Sequence, residues 1–498
     1  MLRRIILTFS SMILVLAAFA ANASEEKPVA ALPQTVVAGA PALAPALKPA
    51  EPSLEQRVAD LEALSNSSAV CGISSKVGVN PGDNAWVLVS AALVLMMTAP
   101  GLALFYGGLV RKKNVLSTMM HSMFLMALVS IMWVVYGYSM AFGEGNAYFG
   151  DLRHFMLNGV SPEKPNLAYA PTIPHQTFML YQMMFAIITP ALISGAYAER
   201  IKFSTMVVFT ILWSTIVYFP LAHMLWGKGG LFNWAGGGRI PVLDFAGGTV
   251  VHISSGVTAL VCALVLGKRV GYPQQPMMPH NLVLSLTGAG LLWVGWFGFN
   301  AGSALCAGSL ANSAFAATHF AAAAAGLSWA GAEWVTKGRP SALGAASGMV
   351  AGLATVTQAS GFVTIPSALL IGFIAGIVCF LAVSKVKNLF GYDDSLDAFG
   401  VHGIGGIMGA LLTGLLASPL VNKALLDTYQ VNGKAVSLEG GSSQFVNQAT
   451  AVIFAIVLAG GVSFILLKVL DLTMGLRPTK DEELQGMDIT QHGEEAYA

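Results

Sequence analysis

The chain has 498 residues, of which 55% are hydrophobic and only 10% charged, and its formal net charge is +1. A water-facing surface takes roughly 25% charged residues to clothe, so the composition excludes a soluble globular protein and indicates a polytopic membrane protein. A net charge this small, with no long basic run, gives no reason to expect a nucleic-acid partner.

The first 23 residues read as a secretory signal peptide. Arg3 and Arg4 precede an apolar core from Ile5 to Ala20, and Ala21-Asn22-Ala23 supplies a small-residue cleavage site. Residues 24–82 form an extracytoplasmic linker. Its first part is Ala/Pro-rich, and Ser53 with Gln56 then resembles a capping box ahead of Leu54, Val58 and Leu61, the pattern of a short helix.

From Asp83 the chain becomes a series of apolar segments long enough to cross a bilayer. About eleven are expected: 83–109, 115–142, 177–198, 203–226, 244–267, 281–302, 312–335, 340–358, 361–384, 398–418 and 446–470. With the N-terminus outside, alternate loops carry Arg111, Lys112, Lys113, Arg200, Lys202, Lys268, Arg269, Lys337, Arg339, Lys385 and Lys387 inside. The outer loops after the first span carry Arg153, Lys164, Lys228, Arg239, Lys423 and Lys434, a smaller set that agrees with the positive-inside rule. An outer N-terminus and an odd number of spans place the C-terminus inside. Spans one to five and six to ten then form two five-helix halves of opposite orientation, with the eleventh span extra. The domain expected is therefore transmembrane over 83–473, followed by a mixed-charge cytoplasmic tail over 474–498.

Two stretches within this domain echo each other. Asp244-Phe-Ala-Gly-Gly-Thr-Val-Val-His252 opens the fifth span, and Asp394-Ser-Leu-Asp-Ala-Phe-Gly-Val-His402 opens the tenth. Ionisable groups inside a membrane are costly and mark functional sites. Two histidines at matched positions of two inverted halves would meet at a shared midplane site. A neutral imidazole offers one donor and one acceptor, so a facing pair can share or relay a proton. Two histidines without further ligands make an incomplete zinc shell, and neither a metal nor any other cofactor is expected. Asp244 and Asp394 suit capping of the backbone N–H groups where their spans begin, and for Asp244 a role as first proton acceptor stays open beside it.

Aromatic residues gather where an outer entrance is expected. Tyr181 and Phe185 share one face of span three, Trp226 ends span four, and Trp296, Phe299 and Ser303 lie near the outer end of span six. Ring faces attract cations, and a hydroxyl can accept a hydrogen bond from an N–H cation. No nucleophile–base constellation points to an enzyme. Of the four cysteines, Cys71, Cys262, Cys306 and Cys379, none forms a CxxC pair; Cys71 and Cys306 would both lie at the outer side, where they could pair, although nothing in the spacing requires it.

The Asp244–Ile253 stretch, Gly295-Trp-Phe-Gly-Phe-Asn-Ala-Gly-Ser303, Asp397-Ala-Phe-Gly-Val-His-Gly, Ala198-Glu-Arg-Ile and Gly475-Leu-Arg together resemble the ammonium transporter (Amt/Mep/Rh) family, bacterial Amt type, from about residue 83 to the C-terminus. The resemblance implies an all-α fold that moves ammonium or ammonia. Trp226, Phe185 and Ser303, with Asp244 and Tyr181 beside them, match an outer recruitment site, and Phe185 with Phe299 match the rings that gate the pore. His252 and His402 match the family's twin histidines, with Trp296 and Thr357 near the same pore. It also implies a homotrimer in the inner (plasma) membrane, and a trimeric PII signal protein as partner of the tail, where Gly486-Met-Asp-Ile-Thr-Gln-His492 resembles the family's C-terminal pattern. Tyr181 stands where many relatives have phenylalanine, and the 227–243 loop is longer than in compact bacterial members. The tail of about 25 residues leaves no room for the extra domain of an ammonium sensor, and Trp226 argues against a neutral-gas channel.

Overall fold

The computed structural model describes residues 53, 55, 78–427, 429–431 and 434–497. The chain divides into two units, Met1–Val58 and Ala59–Ala498. Of the first, only Ser53 and Glu55 are described, so the expected signal peptide and most of the linker with its short helix lie outside the described residues.

The second unit is predominantly helical. Among the described residues nine helices are long and apolar enough to cross a membrane: α1 (Pro81–Leu109), α2 (Lys112–Phe142), α3 (His175–Tyr197), α4 (Phe203–Trp226), α5 (Gly248–Leu266), α6 (Leu282–Ala304), α9 (Ile365–Phe390), α10 (Phe399–Leu416) and α11 (Ser442–Thr473). Between α6 and α9 run α7 (Ser309–Lys337) and α8 (Ala342–Val356). These occupy the segments 312–335 and 340–358 that were expected to span, but they stand outside the nine. Helix α8 has 15 residues, short of the ~20 that a bilayer core demands. Helix α7 is long, but it is diluted by alanine, polar side chains, Glu333 and Lys337.

Local sequence explains some of the helix ends. Asn80 accepts N–H groups from Gly82 and Asp83 to open α1, and Asn281 does the same for Leu284 in α6. Helix α1 is bent where Ala99 is extended before Pro100, which removes a ladder donor. Two short hairpins, β1–β2 (Pro165–Asn166 and Ala170–Pro174) and β3–β4 (Gln430–Val431 and Lys434–Ala435), lie in the loops.

Helix α3 sits centrally, touching α1, α2 and α5, while α5 and α10 both pack on α11. Helix α5 and the start of α10 approach one another closely. A Cβ added to Gly256 would fall on the backbone of Gly403, and one added to Gly406 would press on His252. Small residues let these two backbones touch, and that contact sets His252 beside His402.

The tail is no solvated strand. Its helix α12 (Lys480–Gln485) starts in a capping box of Thr479 and Glu482, and Asp488 beyond it is 2% exposed. The Asp488 carboxylate accepts the N–H groups of Leu116 and Ser117 at 3.0 and 2.8 Å, capping the first turns of α2 from 371 residues away. Arg477 donates to the carbonyls of Leu266 and Lys268 at the C-terminal end of α5 and pairs with Glu483. An anion at a helix N-terminus and a cation at a C-terminus both complement the helix dipole.

Candidate functional site

One end of the bundle opens into a cavity of about 930 Å3, lined among others by Asp83, Tyr169, Phe178, Gln182, Phe185, Trp226, Asp244 and Ser303. At its floor the Phe185 ring makes edge contact with Trp226 at 5.9 Å between centroids and lies 4.3 Å from the ring of Phe299. These two rings separate the open cavity from a second space of only about 10 Å3, lined by Ile188, Leu192, Val251, Leu292, Trp296, Phe299, His252, His402 and other residues, the rest apolar. A cavity needs roughly 10–15 Å3 to hold one water. The space beside the histidines is therefore about one small molecule wide.

The imidazoles of His252 and His402 are stacked, with centroids 5.2 Å apart and planes inclined by 12°, and the Trp296 ring stacks on His252 at 5.5 Å. Trp296 Nε1 donates to Thr357 Oγ1 at 2.8 Å, and Thr357 in turn donates to the carbonyl of Leu353. Both ring nitrogens of His252, and Nδ1 of His402, are buried with no hydrogen-bond partner among the described residues. Buried polar atoms are nearly always paired, and orphans call for an explanation.

Asp244 does not share a helix face with His252. It precedes the helix, and its two carboxylate oxygens accept four N–H groups, from Gly247 (2.7 Å), Gly248 (2.8 Å), Thr249 (3.0 Å) and Val250 (3.1 Å). Gly247, at φ +105°, supplies the left-handed turn that folds the backbone around the carboxylate. The Asp244 carbonyl also receives Trp226 Nε1 at 3.0 Å, tying the cavity-floor tryptophan to the start of α5. At the opposite end Asp394 accepts Phe399 N–H at 2.7 Å, while Lys387 pairs with Asp397 and donates to the Asp394 carbonyl. The sequence echo thus covers two different local structures.

Tyr181 does not line the cavity. It is fully buried behind the wall, and its hydroxyl faces the end of α6. Several participants carry no motif. Gln358 donates to the Leu243 carbonyl and accepts Thr249 Oγ–H, and Gln448 bonds both the N–H and the carbonyl of Leu243, so two buried amides hold the segment leading to Asp244. Their signal was a Gln inside an apolar segment, which a membrane interior tolerates only with partners. Cys306 at the cavity rim is disulfide-bonded, its partner lying outside the described residues, whereas Cys262 and Cys379 are free and buried. Among the described residues no group of three or more His, Cys, Asp or Glu side chains converges on a point.

At the other end of the bundle a buried ion network joins four loops. Glu199 pairs with Arg111 (2.8 Å) and Arg269 (3.2 Å), Arg269 also pairs with Asp393 (2.8 Å), and Arg200 stands beside Asp393. Burial pushes the Glu199 carboxyl up, but the Arg269 and Arg111 guanidinia outweigh it and hold it below the ordinary carboxylate range. Asp393 follows the same balance, with Arg269 and Arg200 overcoming its burial.

Comparison with known proteins agrees with this architecture. The model of the Ammonium Transporter Family matches residues 85–497. An ammonium transporter of Bacillus subtilis (strain 168) is 47% identical over 416 residues, covering 84% of this chain and 98% of that protein. The crystal structure of Saccharomyces cerevisiae Mep2 superposes with a TM-score of 0.72 at 36% identity, over 81% of this chain and 89% of that one. A structure described as a sensor Amt protein superposes with a TM-score of 0.73 at 29% identity, over 82% and 98%. The chain belongs to the Ammonium Transporter Family, whose members are multi-pass membrane transport proteins and not enzymes.

Proposed function

We propose that this protein recruits ammonium in the aromatic cavity, strips one proton near the Phe185 and Phe299 rings, and conducts ammonia past His252 and His402. The observation that carries this reading is the buried histidine pair, whose three unpartnered ring nitrogens border a one-molecule space below a closed aromatic gate. Trp226 and Phe185 present ring surfaces to a cation, and Ser303 presents an oxygen. A bare cation in the narrow segment would carry a large desolvation cost, whereas ammonia would not. The imidazoles can hydrogen-bond ammonia or pass a proton along the same line. Asp244, with four N–H groups on its carboxylate, holds the turn instead of accepting the first proton.

In this reading the chain makes eleven spans, counting α7 and α8, in two inverted halves plus α11, with the cavity outside and the tail inside. It is exported by its first 23 residues to the inner (plasma) membrane, works as a homotrimer, and offers its tail to a PII-type signal protein. A second reading, a sensor that binds ammonium without moving it, is favoured by the likeness to the sensor structure.

Proteoliposomes given an ammonium pulse, with a potassium pulse as control, separate these possibilities. A saturable ammonium current that potassium does not give indicates that charge follows the ammonia. A rise in internal pH without current indicates that neutral ammonia crosses and the proton stays behind. Bound ammonium with neither signal establishes the sensor. The His252→Asp variant should lose ammonia flux while keeping ammonium binding.

A further inference from the structure

The Tyr181 hydroxyl lies 2.9 Å from the carbonyls of Gly298 and Phe299 and 3.1 Å from Ser303 Oγ. Ser303 Oγ is itself 2.9 Å from the Phe299 carbonyl. Two hydroxyl protons must be shared among two hydroxyl oxygens and two carbonyls, and the carbonyls only accept. Ser303 Oγ–H donates inward to the Phe299 carbonyl, with the Tyr181 hydroxyl as its second inward acceptor. At least one Ser303 lone pair is then left toward the cavity.

The turn that carries Ser303 is held from its other side as well. The Asp83 carboxylate accepts Ala307 N–H at 2.9 Å, and Trp86 Nε1 donates to the Ala301 carbonyl at 3.3 Å. Leu305 adopts a left-handed conformation at φ +57°, which a non-glycine residue keeps only where its surroundings enforce it. So many restraints on one short turn suit a hydroxyl whose direction matters.

We propose that Tyr181 is a positioning residue that locks Ser303 as an acceptor-only oxygen facing the cavity, so that the site meets the N–H of a small cation with a preset lone pair. The inference rests on the reading of Ser303 as part of the recruitment site. Phenylalanine at 181 removes one inward partner and leaves Ser303 a single restraint on its rotation.

The test uses the full chain in proteoliposomes and measures half-saturation and maximal rate for ammonium in Tyr181→Phe, Ser303→Ala and the double variant. Losing one hydrogen bond corresponds to roughly a two- to tenfold rise in half-saturation for Tyr181→Phe. The maximal rate should stay within about twofold, and the double variant should be no worse than Ser303→Ala, because Tyr181 acts only through Ser303. A wild-type half-saturation in Tyr181→Phe alongside a raised one in Ser303→Ala overturns the positioning role alone. A wild-type value in Ser303→Ala overturns the recruitment reading and this inference with it. Should Tyr181→Phe not yield folded protein, Trp86→Phe removes the Nε1 bond to the Ala301 carbonyl and loosens the same turn from the opposite side without changing the charge of the cavity; a raised half-saturation at preserved rate supports the inference, and an unchanged one overturns it.

Discussion

At the scale of single residues the site is organised by where protons and lone pairs are committed. Asp244 gives both oxygens to four backbone N–H groups, and so stabilises the turn that starts α5 and receives Trp226. Asparagine there keeps one acceptor oxygen and turns an amide N–H toward donors. Asp244→Asn should therefore lower stability by about 1–3 kcal/mol, read as a fall in the thermal midpoint of detergent-solubilised protein, together with a loss of transport. A midpoint equal to wild type would show that the carboxylate is not holding the turn. The histidines are the reverse case: both ring nitrogens of His252 and Nδ1 of His402 find no partner among the described residues. That His252 and His402 come together was legible from their matched positions in the two echoing segments. That Tyr181 stands behind the wall was not legible, because its neighbours at Gly298 and Ser303 lie more than a hundred residues away along the chain.

At the scale of elements, the histidine pair is brought together by one crossing. Gly256 of α5 lies against Gly403 at the start of α10, with no room for a methyl group between them. Gly256→Ala should cost roughly 1–3 kcal/mol by overpacking and push the two histidines apart, seen as a lower thermal midpoint and a reduced ammonia flux. Unchanged flux would mean that the rings do not depend on this contact. The tail is a second element whose role is set by contact. Asp488 acts as a cap for α2, so Asp488→Ala should weaken tail docking by about 0.5–2 kcal/mol, measured as faster proteolysis between Arg477 and His492. The Thr479 and Glu482 capping box is local, but it gives no hint of where the segment docks. The cap on α2 is invisible in the sequence, since donor and acceptor are 371 residues apart.

At the scale of the whole molecule, the network of Arg111, Glu199, Arg200, Arg269 and Asp393 fastens four loops into one plate below the bundle. Removing one partner leaves buried charge uncompensated, so Asp393→Asn should destabilise by about 3–5 kcal/mol. The sign of the pH dependence follows from the depressed carboxyls of Glu199 and Asp393. Their contribution is present in full above the ordinary carboxylate range of about 4–4.5 and is lost as pH falls below it toward their folded-state values. Thermal midpoints measured from pH 7 down to pH 3 should drop for wild type and flatten for Asp393→Asn; parallel curves would remove the network from the account.

The sequence by itself determined the membrane class, the approximate spans, the family, and the two histidines, because each rests on local composition or on a long ordered motif. Hydropathy needs no partner, and a charge or imidazole in an apolar run is conspicuous wherever the chain goes. It also marked Asp244 as a cap, since a carboxylate just ahead of a Gly-Gly turn has nearby donors. Only the tertiary structure decided that the Asp394 echo is built differently, that Lys387 lies beside it, that the tail docks on α2 and α5, and that the loop charges counted for topology are partly a buried network. Those outcomes depend on which distant groups meet, and chain spacing does not encode that when helices of similar apolar character pack around one another.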